Sequence, residues 1–352
     1  MADIRPCTEP VLCIRWIARL CVLVPVLALA AEMQASAQIV EAVGSRALGM
    51  GGAFVAVAND GTATWWNPGA VAAGPFLDMA LARAVTDSSR QVPARRDRAS
   101  WFVIGTPPLG VSYYHLRLTE ASGPAPTAAP DADRQEEQGP VPVRSLDVRQ
   151  FGGTIVHPLA DGVHIGTTLK YVRGRMRGGI DASFPPSEAL DLGEDLGGGD
   201  TEHKLDLDIG ILAAGGPVRV GVLVRNVREP VFGTPDAAGE MRLPRQVRIG
   251  AAFDGDAVDL TPLTLSFDAD VRRYETVSGD RRVVAVGAEQ WLFSRRLGLR
   301  AGGRINTVGA EDRAATAGVS INVWSRLYVD GHVVRGGSDD DRGWGIAARV
   351  SF

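Results

Sequence analysis

Apolar and polar residues alternate with a period of two in one segment after another from residue 77 to the end of the chain. In one of the clearest cases, Leu263, Leu265 and Phe267 share one parity, while Thr264 and Ser266 share the other. This alternation predicts about fourteen strands, each with an apolar and a polar face. The predicted strands lie near residues 77–83, 98–104, 109–118, 146–157, 162–173, 203–213, 217–226, 245–254, 262–272, 281–291, 296–304, 314–323, 326–335 and 342–352.

Alternation by itself does not say which face points outward, because a soluble sheet buries its apolar face and a membrane barrel turns it to lipid. The connections add that information. Those after the first, third and fifth strands are long, as at 119–145 and 174–202, whereas those after the second, fourth and sixth are short. Long loops at one end and short turns at the other predict an all-β fold, a transmembrane antiparallel up-and-down β-barrel. A secreted β-sandwich or propeller is the alternative.

The last strand ends on an aromatic residue without a tail. Trp344, Ile346 and Phe352 fall on its apolar parity, and Phe352 closes the chain. This resembles the final strand of bacterial outer-membrane barrels, which the barrel assembly machinery recognises. Trp344 and Phe352 are therefore predicted to form a C-terminal assembly signal.

The amino-terminus has the three parts of a secretory signal peptide. Arginines at positions 5, 15 and 19 precede an apolar run at 20–31, and Ala35-Ser36-Ala37 follows. We expect residues 1–37 to be removed after Ala37 and the mature protein to reach outer-membrane lipid. A membrane anchor is the alternative, but a helix that spans a bilayer needs roughly 20 apolar residues. All three cysteines lie in this segment.

Residues 38–76 are rich in glycine and alanine, with Gly44, Gly49, Gly51 and Gly52 followed by Asn67-Pro68-Gly69. Glycine lets backbones approach closely, and the residue before a proline is held extended. A barrel of about fourteen strands encloses more space than its own side chains fill. We therefore expect residues 38–76 to form a hatch inside a barrel of residues 77–352. A phosphate-binding loop is the alternative, but it lacks the Lys-Ser/Thr that should follow the glycines.

The same glycines, the run at 53–60 and the Asn-Pro-Gly resemble the amino-terminal motif of FadL-like and PorV-like outer-membrane proteins. Gly69 departs from the Asn-Pro-Ala usual in that family. Segments 206–210, 219–226 and 243–250 resemble internal PorV-like motifs. A FadL-like role implies passive transport of a small hydrophobic compound past a movable hatch. A PorV-like role implies a secretion-system barrel that engages exported proteins, and a structural or surface barrel without transport is the third hypothesis.

The parity opposite the apolar face carries charges of both signs. They are predicted to face the lumen, where they pair with one another, with the hatch backbone and with water. A solvated lumen of mixed charge is the simpler interpretation, and a selective constriction built from arginines is the alternative. These residues are Asp206, Asp208, Arg219, Arg225, Arg248, Asp268, Asp270, Arg272, Arg300 and Arg304, together with Glu289 and Arg349.

The sequence argues against catalysis, metals and cofactors. The five histidines lie on different predicted strands or turns, and neither the Asp206–Asp208 nor the Asp268–Asp270 pair flanks a glycosidase-like site. A net charge of −4 offers no basic field for nucleic acid. The loop at 119–145 is polar, and Asp339-Asp340-Asp341 fits a charged loop tip better than a cation site. In the loop at 174–202, Phe184, Pro185, Pro186 and Leu190 are expected to pack on the rim rather than to capture a ligand.

Overall fold

A computed structural model describes residues 42–88, 93–121, 141–182, 185–234, 240–276, 279–309, 312–337 and 341–352. The predicted signal peptide, the first hatch residues 38–41, most of the loop at 119–145, Phe184 and Asp339-Asp340 lie outside the described residues.

Fourteen antiparallel strands close into one barrel, in which each strand pairs with its neighbours in the chain and the first pairs with the last. The prediction of a barrel of about fourteen strands is confirmed. Four shorter strands form two ribbons inside connections, β8 with β9 and β12 with β13. The strands are β1 (Asp78–Ser88), β2 (Ala94–Thr106), β3 (Leu109–Ala121), β4 (Val141–Ala160), β5 (Val163–Ala182), β6 (Thr201–Gly215), β7 (Val218–Arg225), β8 (Val231–Phe232), β9 (Met241–Arg242), β10 (Gln246–Asp254), β11 (Leu263–Asp270), β12 (Tyr274–Thr276), β13 (Gly279–Arg281), β14 (Val283–Leu292), β15 (Leu297–Asn306), β16 (Arg313–Trp324), β17 (Leu327–Gly336) and β18 (Asp341–Ser351).

Several strands are longer than the sequence pattern predicted. Strands β4 and β5 have 20 residues each, whereas a tilted strand needs only about 9–11 to cross a bilayer. Their ends therefore extend past the membrane on the side of the long loops. Strands β1 and β2 lengthen in the same way, so the first connection, at 89–93, is shorter than expected.

The apolar parity points out of the barrel. Leu265 and Phe267 are each 47% exposed, and Leu169 is 61% exposed. A closed sheet with such an outer face is stable where lipid solvates it, so the barrel spans a membrane. Exposed Phe293 and Trp324 lie at short turns. They match the aromatic belts that mark membrane boundaries.

The segment at 42–76 folds into short helices that the strands surround. Helix α1 (Ser45–Gly49) contacts β15, β16, β17 and β18, and helix α2 (Ala63–Trp66) contacts β2 and β3. A 3-10 helix (Pro68–Ala73) lies against β2, β4, β5 and β6. Outside this segment, helix α3 (Pro186–Asp195) packs on β2, β3, β4 and β5.

Across the described ranges, no helix is both long enough and apolar enough to cross a bilayer.

Candidate functional site

The interface between the segment at 42–76 and the barrel wall is the candidate functional site. Backbone lies directly against backbone there, because glycines of the wall face the segment. A Cβ at Gly302 would lie 2.2 Å from the carbonyl carbon of Met50, and one at Gly221 would lie 2.5 Å from the Val55 oxygen. The fit therefore excludes larger residues at these wall positions. The wall glycines in such contact are Gly166, Gly210, Gly221, Gly287, Gly302 and Gly318.

Two of the predicted glycines of the segment, Gly49 and Gly51, lie directly against wall backbone, and Gly44 and Gly52 lie against the Trp66 side chain. Gly44, Gly51 and Gly52 have φ values of 88°, 71° and 85°, in the region that favours glycine. A Cβ at Gly51 would lie 2.7 Å from the backbone nitrogen and oxygen of Gly303. At Gly49 it would lie 3.0 Å from the Gly318 Cα.

The Asn67-Pro68-Gly69 motif fixes the segment to β6. The Asn67 side chain is fully buried, and its Nδ2 donates to the Val55 oxygen at 2.8 Å and to the Ile211 oxygen at 2.9 Å. A Cβ at Gly69 would lie 2.7 Å from the Gly210 oxygen. The departure from Asn-Pro-Ala thus has a physical cause, because an alanine would collide with β6.

A bidentate ion pair joins α1 to β14. Arg46 donates from Nε and Nη2 to the two carboxylate oxygens of Glu289, at 3.0 and 2.7 Å. Its Nη1 donates to Asp60 at 2.8 Å and to the Asn59 side chain at 2.8 Å. Both ions of the pair are nearly inaccessible to water, which makes the pairing geometry decisive for stability. The sequence pattern did not single out Arg46 or Asp60, since they lie outside the alternating strands.

From Glu289 the contacts continue around the wall, with one residue from each successive strand. Arg300 donates to Glu289 at 2.6 Å and to the Ser320 hydroxyl at 2.6 Å, and that hydroxyl donates to Asp330. Arg349 donates to Asp330 at 3.1 Å and to Asp78 at 3.3 Å. Asp78 accepts a hydrogen bond from the Gly61 amide of the segment at 2.8 Å, so the series of contacts that begins at Arg46 of the segment also ends on the segment. We call this set the charged arc: Glu289, Arg300, Ser320, Asp330, Arg349 and Asp78.

The contacts around Asp60, a carboxylate of the segment, lower its pKa. Burial alone would raise the pKa of Asp60, but the guanidinium groups of Arg46 and Arg349 and the Thr62 hydroxyl hold that pKa below its usual value. Asp60 therefore stays ionised at neutral pH and keeps its pair with Arg46.

A second anchor comes from β11. Asp268 accepts the backbone amides of Phe54 and Val55 through one oxygen, at 2.8 and 2.9 Å, and the Ser266 hydroxyl donates to the Ala53 oxygen at 2.7 Å. Next to it, Arg248 pairs with Asp270 at 2.7 Å. Asp268 thus satisfies buried amides of the segment, which is a structural role for a predicted lumen carboxylate.

Asp206 and Asp208 lie elsewhere in the lumen, around a lysine that the sequence analysis missed. Lys170 Nζ is 2.8 Å from Asp206 and 2.6 Å from Asp208. Both carboxylates also accept backbone amides from the connection that follows β7, at Arg228 and Asn226. This cluster supports the wall where β7 ends and β6 continues beyond it.

The remaining predicted lumen arginines have separate positions. Arg225 donates to the Trp65 oxygen at 2.8 Å and lies 4.3 Å from that ring. Arg219 pairs with Asp254. Arg304 lies on the inward parity of β15. Arg272 was predicted in a strand at 262–272, but β11 ends at Asp270, so Arg272 lies beyond the barrel strand.

Opposite the charged arc, the inner face of β2–β5 is largely apolar, and Gln150 and Asp97 are buried polar residues in the same cross-strand rows. Leu116 faces Val148, and Leu118 faces Leu146, which in turn faces Met176. Against these rows pack Trp65 of α2 and Phe232 of β8. The sequence analysis predicted a solvated lumen of mixed charge and did not anticipate this apolar side. We call these inward residues the apolar wall: Trp101, Tyr114, Leu116, Leu118, Leu146, Val148, Val172 and Met176.

The other predicted positions lie outside this interface. Trp344 points outward from β18 and is 52% exposed, and Phe352 exchanges backbone hydrogen bonds with Leu77 next to β1. Leu190 is fully buried against Val143 and Ala121 at the rim. Within the part of the chain that the structure describes, no group of three or more His, Cys, Asp or Glu residues is placed to hold a metal ion.

Comparison with known proteins gives a likeness in fold. No family model and no curated protein sequence matches this chain. Among solved structures, the toluene transporter TbuX of Ralstonia pickettii aligns with a TM-score of 0.60 at 14% identity, over 89% of this chain and 99% of that one. The CymD monoaromatic hydrocarbon channel gives 0.59 at 12% identity, over 88% and 98%. A Pseudomonas aeruginosa FadL homologue gives 0.60 at 11% identity, over 90% and 100%. The likeness concerns the fold, and it agrees with the FadL-like resemblance of the sequence.

Proposed function

We propose that this protein is an outer-membrane channel for passive transport of small hydrophobic compounds, in which residues 38–76 act as the hatch. The observation that carries the proposal is the apolar wall, which lines the inside of the barrel next to the amino-terminal segment. A polar, water-filled lumen gives a hydrophobic solute no gain in solvation. An apolar inner face offers roughly 25 cal/mol for each Å² of apolar surface removed from water.

The hatch contacts fit such a route. Ion pairs and amide hydrogen bonds hold the segment on the side of the charged arc and β11. Toward the apolar wall, the contacts are mainly between apolar side chains such as Trp65 and Tyr114, whose ring centroids are 4.8 Å apart. A hydrophobic solute can replace contacts of that kind. The printed descriptions of TbuX and CymD, a toluene transporter and a monoaromatic hydrocarbon channel, support small aromatic compounds as the substrate class.

The proposal includes the cellular route. Residues 1–37 direct export as a signal peptide, and the barrel assembly machinery inserts the mature chain into outer-membrane lipid, aided by Trp344 and Phe352. Transport of this kind involves no chemical step and therefore no catalytic residue. Replacing Phe352 with serine should reduce the amount of barrel in the outer membrane while export across the inner membrane continues. Unchanged membrane yield would contradict this role of Phe352.

The test is uptake of N-phenyl-1-naphthylamine, a hydrophobic dye that fluoresces when it reaches phospholipid. We expect Gram-negative cells that produce this protein to take up the dye several times faster than cells without it. Leu118→Asn, which makes the apolar wall polar, should remove most of the gain. The matched control is Leu169→Asn, at an outward-facing position of β5.

Heat-modifiable migration on gels verifies that each variant forms a folded barrel. Equal dye uptake with and without the folded protein would refute the transport proposal. Capture of exported proteins on the same barrel, without faster uptake, would favour the PorV-like secretion role instead.

A further inference from the structure

A row of aromatic side chains crosses the outer face of the barrel from β2 to β5. Phe102, Tyr113, Phe151 and Tyr171 lie side by side in the register of these strands, and Leu205 continues the row on β6. Phe151 and Tyr171 are 53% and 43% exposed. Aromatic side chains are typical of the two boundaries between a membrane and water. The row therefore marks the boundary on the side of the long loops.

The apolar surface between this row and the short turns is long enough to cross a bilayer. On β4 it extends from Phe151 to Leu159, which is a stretch of nine residues. Ile155 and Leu159 are 66% and 56% exposed on the outer face. A tilted strand needs about 9–11 residues to cross. Outward residues beyond Phe151 on the loop side therefore lie at the level of the lipid headgroups.

Directly beyond the aromatic row, the outward positions become basic. Arg149 and Arg173 are opposite each other on β4 and β5, and both are exposed. One row farther, Arg117 and Arg175 lie on either side of Asp147. We call the basic members of these two rows the basic patch: His115, Arg117, Arg149, Arg173, Arg175 and His203.

One carboxylate serves three members of the basic patch. Asp147 lies 3.0 Å from His115 Nε2 and 3.4 Å from Arg117 Nη2. Arg149 approaches its other oxygen only to 3.6 Å, which is too long for a hydrogen bond. Like charges directly opposite each other on neighbouring strands are destabilising. Asp147 therefore offsets only part of the positive charge around it.

Arg173 and Arg175 keep charges that no carboxylate of the described residues balances. Arg175 donates to the neutral hydroxyl of Thr201 at 3.1 and 3.0 Å. Arg173 makes no hydrogen bond or ion pair with a described residue. Strands β4 and β5 continue past this row by eight and nine residues, at 141–148 and 174–182. At about 3.3 Å for each residue, the loops that follow begin roughly 25–30 Å away.

Helix α3 covers the same outer face farther from the membrane. A Cβ at Gly193 would lie 2.5 Å from Val143 Cγ1 and 2.6 Å from Thr119 Cγ2, and both of these residues are on the outward parity. Glu194 of the helix pairs with Arg98 at 2.6 Å. The basic patch thus lies between the helix and the aromatic row, and the carboxylate of Glu194 is already engaged.

We propose that the basic patch binds the phosphate groups of one anionic lipid of the outer leaflet. The guanidinium groups of Arg149 and Arg173 contact the phosphate, and the acyl chains lie against Phe151 and Tyr171. A guanidinium group matches phosphate geometry with two parallel hydrogen bonds, and a phosphate between the two arginines removes their repulsion. Long loops mark the outer side of such barrels. The inference rests on the proposed location in the outer membrane and is independent of transport.

The experiment is native mass spectrometry of the detergent-purified protein with lipid A, a phosphorylated acyl glycolipid, as the probe. We expect one lipid A to stay bound, and zwitterionic phosphatidylcholine to bind at least about tenfold more weakly. The double variant Arg149→Gln/Arg173→Gln should lower the affinity for lipid A at least about tenfold. Its dye uptake should equal that of the unchanged protein, which separates lipid binding from transport.

The matched control is Arg295→Gln/Arg296→Gln. It removes the same charge from two exposed arginines at the short turn between β14 and β15, on the opposite side of the membrane, and it should leave the affinity unchanged. Heat-modifiable migration verifies that both variants are folded. Unchanged affinity in the Arg149→Gln/Arg173→Gln variant would overturn the proposal, as would an equal loss in the control or equal binding of phosphatidylcholine. Displacement of lipid A by inorganic phosphate alone would assign the arginines to a free ion and would also overturn it.

Discussion

The charged arc and the apolar wall hold two sides of one segment by different physics. On the arc side, Arg46 is fixed by paired, directional hydrogen bonds to Glu289. On the wall side, Trp65 rests on Tyr114 and other apolar side chains. Buried ion pairs tolerate little displacement, because separating them leaves uncompensated charges. Apolar contacts are non-directional, and another apolar surface can replace them.

This difference suggests where movement begins. If the segment moves to let a solute pass, we expect it to leave the apolar wall and to remain attached to the charged arc and β11. The predictions below weaken each side separately, so that their effects on stability and on dye uptake can be compared.

Removing Arg46 should have the largest effect. Arg46→Ala leaves Glu289 and Asp60 buried without their partner, and we expect a loss of about 3–5 kcal/mol in the free energy of unfolding. The segment should also become sensitive to protease in membrane-inserted barrels. Urea titration followed by heat-modifiable migration measures the first effect. A short chymotrypsin digest measures the second, because the segment keeps Phe54, Trp65 and Trp66 as cleavage sites in this variant.

The control for Arg46 is Arg295→Ala, which breaks an exposed pair with Asp256 at a short turn. It should change the stability by less than about 1 kcal/mol. Equal stability of the two variants would contradict the role given to the charged arc.

Truncating the apolar wall should have the next largest effect. Leu146→Ala removes a fully buried side chain from the row between Leu118 and Met176. We expect a loss of about 2–4 kcal/mol from the lost burial and the cavity. Protease resistance of the segment should persist, because the arc is intact. Release of the segment by Leu146→Ala, as by Arg46→Ala, would remove the distinction between the two sides.

Substituting Gly69 should have a smaller effect, centred on β6. Gly69→Ala restores the Asn-Pro-Ala usual in the resembling family, but its methyl group would lie 2.7 Å from the Gly210 oxygen. We expect a loss of about 1–3 kcal/mol as the segment shifts. Gly153→Ala is the matched control, since a Cβ at Gly153 has nothing within 4 Å. If Gly69→Ala is as stable as that control, β6 must shift to make room for the methyl group without a loss of stability, and the predicted collision would be refuted.

Removing one hydrogen bond of the β11 anchor should have the smallest effect. Ser266→Ala deletes the donor to the Ala53 oxygen, and we expect a loss of about 0.5–1.5 kcal/mol. Asp268 still holds the neighbouring amides in this variant. Urea titration alone suffices here, and a loss as large as that of Arg46→Ala would show that the anchor on β11 outweighs the arc.

Much of the barrel was predictable because each strand has one face toward lipid and one toward the lumen. Apolar and polar residues therefore alternate along the strand, and this period of two is visible in the sequence. Leu263, Leu265 and Phe267 lie on the outer face as their parity and the connection lengths together indicate. Strand ends were less predictable. In β4 and β5 the alternation continues past the membrane, where nothing in the sequence marks the boundary.

The site was predictable only in part. Glu289, Arg300 and Arg349 were expected in the lumen from their parity. Their partners were not predicted, because each contact joins residues of two strands that become adjacent only when the barrel forms. Arg46 and Asp60 were missed, because they lie outside the alternating strands and carry no periodic signal. Lys170 lies between the outward Leu169 and Tyr171 of a predicted strand, so its parity pointed to the lumen, but the sequence analysis did not name it. The apolar wall was missed for a related reason, since parity was taken to mean polar on every strand.

The sequence by itself determined the number of barrel strands through their local periodicity, and the outward face through that periodicity together with the connection lengths. Backbone chemistry likewise marked the segment of glycines and Asn-Pro-Gly as one that fits a confined space. Only the tertiary structure decided that the charges gather along one side and the apolar residues along the other. That division depends on closure of the barrel, which brings β1 beside β18 and turns residues far apart in the chain toward one enclosed segment.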